Sequence, residues 1–184
     1  TMFLGALDQT IVATALPTIG RHFHNLDDLA WVVTAYLLTG TASTPLYGKL
    51  SDIYGRRVVM LTAIGIFIVG SIACALAPSM TALVVARALQ GLGGGGLMAL
   101  AQTIIADIVS PRERGRYQGY IGAVFALSSV GGPVLGGFLT EHLDWSLIFW
   151  INLPLGLAAF GMTSNVLRLV PYHPRKHRLD LIGA

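Results

Sequence analysis

The apolar residues of this chain fall in long unbroken runs separated by short polar stretches, without the helical or alternating periodicity that a water-facing fold requires. The run 58–77 carries no charged residue. A bilayer core about 30 Å thick is crossed by about 20 apolar residues, each rising 1.5 Å along a helix. Six spans are predicted on this basis, over 2–19, 29–47, 58–77, 82–106, 117–139 and 147–170. The expected fold class is therefore all-α integral membrane, with 1–170 forming an N-terminal six-helix bundle. Residues 171–184 read as a basic cytoplasmic linker in which apolar character resumes at LDLIGA, the expected start of a seventh helix.

Composition agrees with that pattern, since 54% of the 184 residues are hydrophobic and 11% are charged, against about 25% charged in a soluble domain. The net charge of +3 would permit a nucleic-acid partner, but the placement of the Lys and Arg residues gives it another meaning. The stretches GKLSDIYGRR and DIVSPRERGR are strongly basic, whereas RHFHNLDD, PSMT and TEHLDWS hold only Arg21 among Lys and Arg. That alternation is a topology signal, and it places the N-terminus, the basic stretches and the tail PYHPRKHRLD in the cytoplasm. No basic face on an aqueous domain is left for nucleic acid. The lone Cys74 has no partner for an internal disulfide, and His22 and His24 lack a third ligand in register, so no metal site is expected. The chain begins at Thr1, as though inside its first helix, and shows no signal peptide.

Charges inside the apolar runs are costly, about 2.5–3.5 kcal/mol each at mid-membrane, and so mark candidate function. Asp8 lies in the first span and Arg87 in the fourth. Arg87, Gln90, Gly91, Gly94 and Met98 recur at three- and four-residue steps, so one helix face presents a cation, an amide and a smooth glycine surface. That face, with Asp8 and Gln9 opposite, is expected to line a substrate cavity. Apolar surroundings favour the neutral form of a carboxyl group and a nearby cation favours the ionised form, so Asp8 beside Arg87 suits proton uptake and release. The alternative is that both groups sit near helix ends and snorkel to the interface.

Three further stretches bear on mechanism. The run QGLGGGGL contains GxGxxG, Gly91 to Gly96, but no strand precedes it, and there is no GK[ST] loop, so nucleotide binding is excluded and an ion gradient is the simplest energy source. Gly132, Pro133, Gly136 and Gly137 in SSVGGPVLGG combine a kink-forming proline with a GxxxG spacing, which predicts a bent, tightly packed fifth helix with a hinge. In GKLSDIYGRR, Gly48 would permit close helix contact, Gly55 a tight turn, and Asp52 would accept from exposed amides at a helix start. Arg56 and Arg57 would then face the cytoplasm, and acid and base this close suit a latch that breaks as helices rock, with Asp107 the expected partner of Arg56.

These motifs, in this order and over essentially the whole chain, resemble those of the major facilitator superfamily. GKLSDIYGRR is similar to the family's signature between helices 2 and 3, through Gly48, Asp52, Gly55, Arg56 and Arg57. RALQGLGG is similar to its helix 4 signature, through Arg87, Gln90 and Gly91, and SSVGGPVLGG to its antiporter motif in helix 5. LDQTIVATALP and WSLIFWINLPLG resemble the drug:proton antiporter branch with fourteen helices, and the resemblance implies that eight helices are missing. Ser128 departs from that pattern at a common glycine, and Ser146 with Leu147 replaces a common Arg-Trp. The resemblance implies 3+3 inverted repeats and a proton-driven exporter of amphipathic, often cationic small molecules. No cofactor is expected beyond the proton gradient, and the partners are the lipid bilayer, a small-molecule substrate and the missing C-terminal helices. A multi-pass location, foremost the bacterial cytoplasmic membrane, is expected. A dedicated exporter of a metabolite or siderophore is the alternative of the same fold, and a non-transporting receptor or scaffold the alternative of another class. No converging nucleophile, metal cluster or paired carboxylates point to an enzyme.

Overall fold

The computed structural model describes residues 1–168, so the end of the sixth predicted span and the linker 171–184 lie outside the described residues. Seven helical segments follow one another: α1 (Met2–Phe23), α2 (Leu29–Tyr54), α3 (Arg56–Ala75), α4 (Met80–Ile108), α5 (Arg114–His142), α6 (Leu147–Trp150) and α7 (Asn152–Val166). Five stretches are long and apolar enough to cross a membrane: α1, α3, α4, α5 and the combined Leu147–Val166. The sixth, α2, has 26 residues and carries Lys49 and Asp52 toward its end. Its hydroxyls are used in packing, Thr39 donating to the Ala88 carbonyl at 2.8 Å and Ser43 to the Leu92 carbonyl at 3.3 Å.

Several boundaries differ from the sequence reading. The expected loop in GKLSDIYGRR is almost entirely helical, because α2 runs to Tyr54 and α3 starts at Arg56. Only Gly55 separates them, at φ 91° and ψ 145°, a backbone conformation that side chains with a Cβ rarely adopt. Asp52 therefore does not cap a helix start; it lies in the last turn of α2 and pairs with Arg56 one turn later. Gly48 makes no close helix contact, since a Cβ added there would meet nothing within 4 Å. Within the sixth span the helical hydrogen-bond ladder lapses at Ile151, although its φ of −62° and ψ of −26° stay helical and Leu147–Val166 runs as one span of 20 residues. Pro154 explains the lapse, as it has no N–H for the Trp150 carbonyl. Pro133, by contrast, interrupts nothing: α5 is one helix of 29 residues.

The most extensive pairings are α2 with α4, α3 with α4, and α1 with α5. Exchanging the first three spans with the last three maps the α2–α4 pair onto α5–α1, the relation expected of 3+3 inverted repeats. Glycines set the closeness of α4 to its neighbours. A Cβ on Gly93 would lie 2.5 Å from the Phe67 nitrogen and 2.7 Å from the Ala63 carbonyl oxygen, and one on Gly95 would lie 2.8 Å from the Gly40 carbonyl carbon. The GxGxxG run is thus a packing surface pressed against α2 and α3. On α5, Gly136 approaches α1 closely enough that a Cβ would stand 2.9 Å from the Ile11 carbonyl oxygen. Ser128, Gly132 and Gly136 form the buried face of α5, while Pro133 is exposed and a Cβ at Gly137 would meet nothing within 4 Å.

Two apolar clusters fill the interior. One holds Leu4, Tyr36, Ile64, Phe67, Leu97 and Leu100; the other holds Leu7, Ile11, Leu83, Cys74, Ile148 and Phe149. Along α1, α3 and α4 the boundary between them falls at Asp8, Ser71 and the Arg87–Gln90 turn, so apolar layers close off that level from both sides. At the end of the bundle that holds Trp145, its ring centroid lies 5.3 Å from those of both His22 and Phe23. Just before α6, Asp144 accepts from the Ser146 backbone N–H at 2.8 Å, which holds its carboxyl below the usual range.

Backbone atoms cannot yield at Gly93, so Gly93→Ala is expected to cost about 1–3 kcal/mol, the usual penalty of overpacking. Gly65→Ala, where a Cβ meets open space, should leave the thermal midpoint of the full-length protein in detergent unchanged or slightly raised.

Candidate functional site

Residues from α1, α2, α3, α4 and the α6–α7 junction converge on one buried carboxylate. Asp8 Oδ2 lies 2.7 Å from Arg87 Nη1, and Asp8 Oδ1 accepts from Gln90 Nε2 at 2.9 Å and from Asn152 Nδ2 at 2.7 Å. Arg87 also donates from Nη1 to Gln90 Oε1 at 2.7 Å and from Nε to the Val32 carbonyl at 3.2 Å, with its Cζ 4.2 Å above the Tyr36 ring centroid. Asn152 Nδ2 further donates to Ser71 Oγ at 3.0 Å, and Ser71 Oγ donates to the Phe149 carbonyl at 2.8 Å. Arg87 and Gln90 reach one carboxylate because they are three residues apart and so share a face of α4.

Both charges are removed from solvent, with side-chain exposures of 0% for Asp8 and 1% for Arg87. Desolvating two ions costs several kcal/mol each, and the pair persists only because further hydrogen bonds satisfy the remaining lone pairs and protons. Each carboxylate oxygen here has a donor. One buried polar atom of the network does not have a partner, the Asn152 Oδ1. An orphan acceptor of this kind costs about 1–3 kcal/mol.

This geometry corrects the expectation of a cavity face. Asp8, Arg87, Gln90, Gly91 and Gly94 are all buried within the bundle, and Gln9 alone among the expected cavity residues is partly exposed. Gly94 is pressed against the Tyr36 ring, where a Cβ would lie 2.7 Å from its Cζ, and Gly91 lies against the Tyr36 backbone. Helical spacing identified residues sharing a face; the partner of that face is α2, not a void. Asn152, Ser71 and Tyr36 were not singled out from sequence. Asn152 could have been found, as an amide inside an apolar run two residues before a proline.

A second, half-exposed cluster occupies the opposite end of the bundle from Trp145. Arg56 Nη2 pairs with Asp52 Oδ1 and Arg56 Nε with Asp107 Oδ2, each at 2.9 Å, and Arg56 also donates to the Ser51 hydroxyl. Asp52 and Asp107 sit at the C-terminal ends of α2 and α4, and Arg56 at the N-terminus of α3. Each charge is therefore at the end its own helix dipole disfavours, and each is offset by the others. Arg57 does not simply face water. Its Nε and Nη2 donate to the Ser164 carbonyl and hydroxyl at 3.1 and 3.0 Å, tying α3 to the last turn of α7. The α5 residues expected to form a hinge instead divide: Gly132 and Gly136 pack on α1, and Thr10 donates to the Ser128 carbonyl at 2.9 Å.

The profile of the Major Facilitator Superfamily matches residues 1–182. The chain is 48% identical over 168 residues to a protein named Efflux pump dotC in Dothistroma septosporum, covering 91% of this chain and 29% of that protein. It is 44% identical over 158 residues to Multidrug transporter protein MdtP of Bacillus subtilis, covering 86% of this chain and 29% of the relative. The chain thus spans about a third or less of the length of these relatives. Its fold superposes on the crystal structure of a D-xylose-proton symporter with a TM-score of 0.75 at 20% identity, over 95% of this chain and 48% of that one.

Removing one partner of a buried ion pair leaves an uncompensated charge, so Arg87→Met should destabilise the full-length protein by about 3–5 kcal/mol. The double variant with Asp8→Asn should recover part of that loss. Thermal unfolding of both in detergent checks the order.

Proposed function

We propose that this chain, which belongs to the major facilitator superfamily, forms the N-terminal bundle of a proton-coupled exporter of amphipathic or cationic small molecules. The buried Asp8–Arg87 pair carries the reading. Protonating Asp8 would cancel its charge and leave Arg87 a cation held by Gln90, the Val32 carbonyl and the Tyr36 ring, among apolar layers. A buried charge deprived of its counter-ion is unstable where it stands, so the two protonation states favour different arrangements of α1 against α4. That is the requirement for a proton to drive alternating access. The Arg56–Asp52–Asp107 cluster suits a latch, because its exposed pairs are worth about 0–1 kcal/mol each and break readily.

Export is supported by the names of the relatives, an efflux pump and a multidrug transporter. The end bearing Lys49, Arg56, Arg57, Arg112, Arg114 and Arg116 is assigned to the cytoplasm by its charge. The α1 N-terminus then lies on the same side, and the whole protein is read as multi-pass, foremost in a bacterial cytoplasmic membrane. The substrate binds between this bundle and the helices outside the chain, beside the half-exposed Gln9.

Inverted vesicles containing the full-length protein test the reading, with a lipophilic cationic dye and an imposed proton gradient. Dye is expected to accumulate only with the gradient, and Asp8→Asn is expected to reduce that accumulation at least about ten-fold, the scale of losing one essential proton carrier. Well-folded protein that moves no dye would point to an exporter dedicated to one metabolite. Gradient-driven accumulation unchanged by Asp8→Asn would remove Asp8 from the mechanism.

A further inference from the structure

The geometry points to Asn152 as the residue that senses the protonation state of Asp8 and passes it to the junction of α6 and α7. This inference rests on the proton exchange at Asp8 proposed above. In the structure Asn152 uses only its NH2 group, donating to Asp8 Oδ1 at 2.7 Å and to Ser71 Oγ at 3.0 Å, while its buried Oδ1 has no hydrogen-bond partner. That arrangement fits an ionised carboxylate, which only accepts.

A neutral Asp8 needs the reverse. The added proton must be donated to an acceptor, and the neighbouring groups offer few. Arg87 carries no acceptor, Gln90 Oε1 already accepts from both Arg87 and the Cys74 thiol, and the donor groups of Gln90 and Asn152 point at Asp8. The titratable or charged groups acting on Asp8 from the packed elements are Arg87 of α4, Tyr36 of α2 and the Cys74 thiol of α3; Asn152 is the neutral group from α7 that touches the carboxylate. Rotating the Asn152 amide by half a turn brings the unused Oδ1 to Asp8 Oδ1, where it accepts the added proton's hydrogen bond.

The same rotation places Oδ1 beside Ser71 Oγ. Two oxygens cannot share that contact without a proton between them, so the Ser71 hydroxyl turns to donate to Asn152 and releases the Phe149 carbonyl. Phe149 is in α6, just before its junction with α7. The proton enters from water and stays on Asp8; no other bond is made or broken. Its arrival thus frees a backbone carbonyl of the sixth span one residue from the Trp150 carbonyl, which already lacks an N–H partner at Pro154.

Infrared difference spectra between low and high pH, recorded on the full-length protein in lipid, test this. Asp8→Asn identifies the carboxylic acid band of Asp8. With 15N-labelled asparagine, the wild-type difference spectrum is expected to contain an isotope-sensitive side-chain amide band that disappears in Asn152→Leu. In that variant the Asp8 band should rise in frequency, having lost its acceptor. An Asp8 band without any isotope-sensitive asparagine band in the wild type would overturn the role of Asn152 and leave proton exchange at Asp8 standing. The absence of any band removed by Asp8→Asn would instead overturn the proton-exchange reading itself.

Discussion

A carboxylate and a guanidinium that face each other with almost no access to solvent impose the strictest condition on this bundle. Neither ion is stable there alone, so every neighbour has to contribute a hydrogen bond or a polarisable face at the right distance. Gln90, Asn152, the Val32 carbonyl and the Tyr36 ring do so from three different elements, α4, α7 and α2. Such convergence requires helices closer than ordinary side chains allow. The glycines of α4 supply that closeness, since Gly91, Gly93, Gly94, Gly95 and Gly96 let α2 and α3 approach until backbone and ring atoms occupy the space of a Cβ. Gly70 does the same from α3, where a Cβ would stand 2.5 Å from Gln90 Cα. The glycine run and the buried ion pair are thus one feature: small residues position the polar ones.

The charged cluster at the other level follows opposite rules. Asp52, Arg56 and Asp107 are half-exposed, and each sits at the helix end least suited to its charge. Water screening keeps their attraction small, and the helix dipoles keep it from being redundant. A deep, expensive pair and a shallow, weak cluster on the same bundle make a reasonable division of labour for a protein that must store one state and leave it. The two are linked mechanically, as α4 carries Arg87 near one end of its length and Asp107 at the other.

The spans were legible because apolar runs of membrane-crossing length have few other uses, and the two intramembrane charges stood out for the same reason. Their burial together was not legible. Periodicity along α4 shows that Arg87, Gln90, Gly91 and Gly94 share a face, but the sequence does not say whether that face meets a cavity or α2. Helix ends were misplaced where local chemistry overrides composition: α2 continues through Lys49 and Asp52 until Gly55, whose positive φ alone marks the turn. Arg57 read as an orientation signal, yet it is also a clasp on the last turn of α7, because a cation near a helix C-terminus meets unpaired carbonyls.

Asn152 shows why neutral polar residues are the hardest to read. A charge in an apolar run demands an explanation, whereas an amide can be satisfied by its own helix or by a neighbour. Here the side chain reaches across to α1 and α3, and its donor groups go to Asp8 and Ser71 while its acceptor stays idle. An idle acceptor beside a carboxylate is a defect only as long as that carboxylate is ionised. On the proton exchange proposed above, the orphaned oxygen would accept the hydrogen bond of the neutral acid, and the cost carried in one state would become the means of reaching the other.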